Sequence, residues 1–300
     1  MNVLNAVERK IEQFIEELQD KEVSSLYKKL PQGKRLRAKL ILKIAGSSLP
    51  VVKTAAVVEM IHAASLLHDD VIDDADTRRS KPSLNALYGN KTAIMLGDIL
   101  YSKGFFELNN ISADVSKVVS NAVTQLSLGE LKDVSLSSTF NLDREIYLEM
   151  IYQKTASLIE ASSGAAALLA GKPKEVYMTY GRNLGLAFQM IDDILDITQD
   201  AQTLGKPALH DFVEGKTTLP YIYLYEALQD DEREKLRSLH AKALSKEEQG
   251  WILSNMKTHK IIERATLEAK TLIDEAIAVM DAHGETALSG IAKEMIERDF

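Results

Sequence analysis

Two segments of this chain, 53–67 and 184–197, are apolar around most of a helix circumference, and each is joined to a cluster of aspartates. A helix that is apolar all round has to be covered on every side, so both belong at the centre of the fold. The first leads into His68-Asp69-Asp70-Val71-Ile72-Asp73-Asp74-Ala75-Asp76-Thr77-Arg78-Arg79, and the second ends in Asp192-Asp193-Ile194-Leu195-Asp196. On a helix the first and fifth positions of DDxxD lie only about 40° apart. Asp69 with Asp73, and Asp192 with Asp196, can therefore grip an ion from one face. A single acidic run is usually a solvated helix end. Two such runs on buried helices are costly unless cations compensate them. An EF-hand loop does not fit, because its glycine and terminal glutamate are missing. Two carboxylate faces opposed across a cavity suit Mg²⁺ held jointly by aspartates and a substrate's phosphates.

The rest of the composition narrows the class. The chain has 300 residues, 45 % of them hydrophobic and 27 % charged, which is the make-up of a folded domain and not of a disordered one. A net charge of −8 argues against general nucleic-acid binding by a basic surface. With no cysteine, disulfides, thiolate nucleophiles and zinc–sulfur sites are excluded. The start lacks the apolar core of a signal peptide, and no run of about 18 uncharged apolar residues predicts a membrane span. A cytoplasmic location is the default expectation.

Six prolines, Pro31, Pro50, Pro82, Pro173, Pro207 and Pro220, separate long segments that are apolar at helical spacing. The spacing predicts helices over 3–19, 34–47, 51–74, 92–109, 113–135, 142–170 and 174–200. Shorter ones follow over 217–229, 231–243, 246–256, 258–282 and 286–298. Ser245-Lys246-Glu247-Glu248 reads as a capping box. No linker, low-complexity tract or repeat breaks the chain, so residues 1–300 read as one all-α domain, a large bundle with a central cavity.

Basic groups stand at Lys34-Arg35-Leu36-Arg37, Arg78-Arg79, Lys154-Thr155, Gly205-Lys206 and Gly215-Lys216-Thr217-Thr218. Arginine forks and lysine point charges bind phosphate, and glycines let backbone N–H groups approach. A P-loop is not present at 215–217, since no glycine stands five residues earlier and no buried strand leads in. Singly these groups read as surface charges. Beside two metal clusters they point to a pair of diphosphates.

These residues resemble the trans-isoprenyl diphosphate synthases, specifically their polyprenyl, octaprenyl-type long-chain branch, from Gly33 to about Pro220. Gly33-Lys34-Arg35-Leu36-Arg37 is similar to the family's GKRLRP element, with Ala38 in place of proline. Glu59 through Arg79 resembles its first aspartate-rich motif, and Lys154-Thr155-Ala156 its KTA element. Phe188 through Asp196 resembles its second aspartate-rich motif, and Glu214 through Pro220 the element that closes the site. Leu209 stands where a glycine is common, which leaves the loop at Lys206 less defined.

The resemblance implies an all-α prenyltransferase that condenses isopentenyl diphosphate head to tail onto an allylic diphosphate. It implies three Mg²⁺ ions, two on Asp69 and Asp73 and one on Asp192, with Asp70, Asp193 and Asp196 in support. Lys154 and Lys206 join those aspartates as catalytic groups. Arg78, Thr155, Gln189 and Lys216 complete the allylic site, and Lys34, Arg37, His62 and Arg79 take isopentenyl diphosphate. A homodimer serving quinone side-chain synthesis follows from the same likeness. Ala64 and Ser65, five and four residues before Asp69, are small where short-chain enzymes carry a ring, which implies an open tunnel and a long product. Close helix packing is the other use of small residues there, and a farnesyl or geranylgeranyl synthase is the nearest alternative function. A terpene cyclase or silent subunit is disfavoured because the isopentenyl-binding basic residues and all carboxylates are present. A di-iron bundle would need a second copy of Glu59-Met60-Ile61-His62, which does not occur. A purely structural scaffold leaves both DDxxD clusters unexplained.

Overall fold

In the computed structural model, which describes residues 3–79, 81–198 and 209–296 (the last four as backbone only), helices carry nearly all of the regular structure. They are α1 (Val3–Glu16), α2 (Lys21–Tyr27), α3 (Leu36–Ala45), α4 (Leu49–Ile72), α5 (Leu84–Tyr88), α6 (Asn90–Asn109), α7 (Ala113–Ser137) and α8 (Arg144–Ile151). A π-helical turn, Tyr152–Ala156, joins α8 to α9 (Ser157–Leu169), and α10 (Lys174–Thr198) follows. The remainder are α11 (His210–Val213), α12 (Leu219–Ala227), α13 (Asp230–Leu239), α14 (Lys246–Thr258), α15 (Ile261–Ala282) and α16 (Thr286–Ile296). Two short antiparallel strands, β1 (Thr77–Arg78) and β2 (Lys81–Pro82), pair Thr77 with Pro82 and Arg78 with Lys81. The chain divides into two compact units, Met1–Thr124 with Leu158–Gly181, and Gln125–Ser157 with Arg182–Phe300.

The first unit is built around α4, which packs on α1, α3, α5 and α6. Every residue from Val51 to Ile61 except Lys53 is buried, as expected of an all-round apolar helix. Each fully buried valine or isoleucine there contributes about 1.5–3 kcal/mol. The one carboxylate in the run, Glu59, accepts the Ala38 N–H at 2.9 Å, which caps the start of α3. Arg35 lies 3.5 Å from its other oxygen and forks onto Glu8 at 2.6 and 3.0 Å. By length and composition α4 could also cross a membrane, yet 67 % of its apolar window is buried inside the protein.

In the second unit, α12 packs on α8, α14 and α15, and α16 packs on α15. The 184–197 stretch of α10 has no exposed residue, again as expected. The capping box of α14 forms, with Glu248 N–H on Ser245 Oγ at 3.3 Å and Ser245 N–H on Glu248 at 2.7 Å.

Several expected boundaries need correction: the helix predicted over 3–19 ends at Glu16, and the one over 231–243 ends at Leu239. The helix predicted from residue 34 starts at Leu36, because Arg35 at its N-cap adopts a left-handed backbone (φ 53). The single helix predicted over 142–170 runs without a break from Arg144 to Leu169, but it widens into a π turn at Tyr152–Ala156. Helices α2, α5 and α11 and the β1–β2 pair were not expected, being too short to show a period.

Candidate active site

In the first unit the aspartate-rich end of α4 sorts its carboxylates by burial. Asp70 is buried and accepts Arg78 Nε at 2.6 Å. Asp69 and Asp73 are half-buried and one helical turn apart, with the Asp73 N–H on the Asp69 carbonyl at 2.8 Å. Their side chains therefore share a face, as the spacing predicted. The Arg79 guanidinium donates to the Pro31 carbonyl at 3.2 Å and lies against Gly33, which brings it to the Lys34 loop. Lys34 is exposed, Arg37 half-buried. Burial holds the His62 imidazole well below its ordinary pKa, and the charges of Arg37, Arg79, Arg78 and Arg35 add to that. His62 is thus neutral at pH 7.

Ala64 is wholly buried. It sits on the same α4 stripe as Val57, Ile61 and His68, which meet α6 at Gly104 and Gly97. Ser65, at the edge of that stripe, is half-buried and donates to the His62 carbonyl at 3.0 Å.

In the second unit two glycines set the geometry. A Cβ at Gly129 in α7 would collide with the Lys154 backbone nitrogen, and one at Gly185 in α10 would come 2.5 Å from Ala156 Cα. Both helices therefore press against the π turn. One turn beyond each glycine stand the groups that reach it. Lys154 Nζ lies 2.6 Å from Asp133 and 2.9 Å from Glu130, both on α7. The Thr155 hydroxyl donates to Gln189 Oε1 at 2.6 Å. Gln189 Nε2 donates to Asp193 Oδ1 at 2.8 Å, and the buried Tyr147 hydroxyl donates to Asp193 Oδ2 at 2.6 Å. Lys216 pairs with Glu214 at 2.9 Å. A cavity of about 170 Å³ is lined by Tyr147, Lys154, Gln189, Asp193, Lys216 and Asp133, among others.

Burial pushes Asp193 up to about 8, helped by the charge of Asp211 and opposed by its donors Tyr147 and Gln189. Burial also pushes Tyr147 well above the usual phenol range, so it stays a donor. Asp196 is buried and accepts the Asp211 N–H at 3.2 Å, whereas Asp192 is half-buried. The pattern repeats that of α4. Deeply buried aspartates are bonded inside the protein, and the half-buried Asp69, Asp73 and Asp192 are the ones proposed to meet metal.

The donor set fits Mg²⁺, since only hard carboxylate oxygens stand at these positions and each cluster offers few of them. Among the described residues no three His, Asp or Glu side chains gather into a cage, so ligand oxygens would have to complete the coordination. Lys206 lies outside the described residues. Sequence reading missed Tyr147, Glu130 and Asp133. Only Gly129-Glu130-x-x-Asp133, a glycine one turn before a carboxylate, marks the last two in the sequence.

A family model described as Polyprenyl synthetase matches residues 20–254. Octaprenyl diphosphate synthase of Escherichia coli K12 is 34 % identical over 280 residues, 89 % of this chain and 86 % of that one. Chloroplastic solanesyl-diphosphate synthase 2 of Oryza sativa subsp. japonica is 39 % identical over 221 residues, 69 % of this chain. The chain spans only 54 % of that plant protein, about half its length. The solved octaprenyl pyrophosphate synthase of Helicobacter pylori superposes with a TM-score of 0.93 at 41 % identity, covering 99 % of both chains. All-α architecture and matched motifs agree, and the chain belongs to the polyprenyl synthetase family.

Proposed function

We propose that this chain adds isopentenyl diphosphate head to tail onto an allylic diphosphate, building a long all-trans polyprenyl diphosphate of the kind used for quinone side chains. The observation that carries this reading is that Lys154 and Gln189 line one cavity, with Thr155 bonded to Gln189 behind it, within a chain similar end to end to an octaprenyl synthase. Breaking the allylic C–O bond separates a carbocation from a diphosphate anion. Lys154, Lys206, Lys216 and Arg78 would counter the anion's charge as fixed cations. Thr155 and Gln189 would turn oxygen dipoles toward the carbocation. Lys34, Arg37 and Arg79 would hold isopentenyl diphosphate, with neutral His62 acting as a hydrogen-bonding group. Its alkene attacks the cation, and the proton lost afterwards goes to the released diphosphate. Asp69, Asp73 and Asp192 would hold three Mg²⁺ ions, which when bound neutralise the leaving diphosphate.

Ala64 and Ser65 would leave room for the growing chain beside α4. The catalytic unit is a single domain over 1–300, acting as a homodimer in the cytoplasm. Incubating the protein with an allylic diphosphate, labelled isopentenyl diphosphate and Mg²⁺ tests the reading. A ladder of long dephosphorylated products is expected. No incorporation would refute prenyl transfer, and products that stop at farnesyl or geranylgeranyl length would replace the long-chain reading with the short-chain one.

A further inference from the structure

Tyr147 has no part in the chemistry above, yet its hydroxyl is buried in the cavity wall and bonded to the aspartate-rich helix. Tyr147 is 1 % exposed and Asp193 4 %. A chain of hydrogen bonds converges on Asp193 from both sides: Tyr147 O–H donates to Asp193 Oδ2, Gln189 N–H to Asp193 Oδ1, and behind it Thr155 O–H to Gln189 Oε1. The Gln189 amide is held at both ends, its Nε2–H on Asp193 Oδ1 and its Oε1 under the Thr155 hydroxyl. This lock holds only while Asp193 itself keeps its orientation, and Tyr147 is the donor on its second oxygen.

The π turn explains how one helix supplies both ends of the chain. In an uninterrupted α-helix residues 147 and 155 would point about 80° apart. Tyr152–Ala156 closes wider i→i+5 turns, and Tyr147 and Thr155 both reach α10, at positions 193 and 189, one turn apart.

We propose that Tyr147 is a positioning residue: acting through Asp193, it fixes the Gln189 amide in the cavity wall and so sets the bond between the Gln189 oxygen and the Thr155 hydroxyl. This rests on the prenyl-transfer reading for its kinetic consequence but not for its structural one. The test is Tyr147→Phe, which keeps the ring and removes only the hydroxyl. In protein labelled with ¹⁵N-glutamine, the Gln189 side-chain amide should exchange with solvent about tenfold faster in the variant, as expected for a released hydrogen-bond network. In steady-state assays kcat should fall about tenfold while KM for both substrates stays within about twofold, the sign of an interaction that matters only in the transition state. In a Gln189→Ala background Tyr147→Phe should cause no further loss. An unchanged Gln189 amide, or the same loss of kcat in both backgrounds, overturns the proposal. A wild-type protein that makes no product sinks the prenyl-transfer reading instead, and the amide measurement still decides the role of Tyr147.

Discussion

Gly185→Ala puts the close approach of α10 to the π turn under a direct test. The added methyl would lie 2.5 Å from Ala156 Cα and 2.8 Å from Ala156 Cβ, whereas ordinary contact begins at 3.4 Å. Neither partner is a flexible side-chain end, so α10 has to withdraw by about 0.9 Å. Gln189 stands one turn further on the same face. Its 2.6 Å bond with Thr155 would open to about 3.5 Å, too long to count as a hydrogen bond. Over-packing costs about 1–3 kcal/mol, and the helix preference of alanine over glycine returns up to about 1 kcal/mol. The stability loss should therefore be small, about 0–2 kcal/mol by urea unfolding. The kinetic loss should be larger, because a displacement of this size at a positioned group costs up to about 100-fold. The assay is kcat for incorporation of labelled isopentenyl diphosphate. Gly250→Ala is the control, since nothing lies within 4 Å of a Cβ at that position in α14. It should stabilise by about 0.5–1 kcal/mol and leave kcat alone. Wild-type kcat in Gly185→Ala would refute the link between helix approach and the Gln189–Thr155 bond.

Asp69→Ala and Asp192→Ala should each lower turnover by orders of magnitude, measured by the same incorporation at saturating Mg²⁺; full activity in either removes it from the metal set. Ser65→Tyr should shorten the product ladder on thin-layer chromatography with modest loss of stability, because Ser65 is only half-buried. Ala64→Tyr should do so only at the expense of folding, because Ala64 has no exposure and faces α6. An unchanged ladder in Ser65→Tyr would discard the tunnel at that position. The depressed His62 pKa gives a pH test. Above about pH 6.5 the imidazole is neutral whether the chain is folded or not; below it only the unfolded chain takes the proton, so stability falls as pH falls, by up to about 1.4 kcal/mol per pH unit. Comparing urea midpoints at pH 7.5 and 5.5, His62→Gln should lose less stability on acidification than wild type. An equal loss would mean that His62 protonates in the folded protein.

The helices were legible because proline punctuation and a 3.6-residue apolar period are local signals, and the buried stretches of α4 and α10 stood out by being apolar around most of the helix circumference. The shared face of Asp69 and Asp73 followed from helix geometry. What stayed hidden depends on partners distant in sequence. Glu130 and Asp133 look like any solvated charges on α7 until Gly129 is seen against Lys154. Tyr147 looks like one more apolar position of α8, because nothing local says that Asp193 waits for its hydroxyl. The π turn has no residue signature, so 142–170 read as regular α-helix throughout. Arg78 was read as a substrate ligand, and its Nε is also engaged by Asp70.

Helix α4 carries a consequence for handling the protein. The same apolar window that fills the first unit's core would, in a denatured chain, be a sticky stretch with only Lys53 and Glu59 as charged residues between Leu49 and His68. If heated chains that expose it associate faster than they refold, a melting curve measures a rate of escape and changes with heating speed. Ligands that slow the opening of α4 will then protect the protein beyond what their affinity alone accounts for.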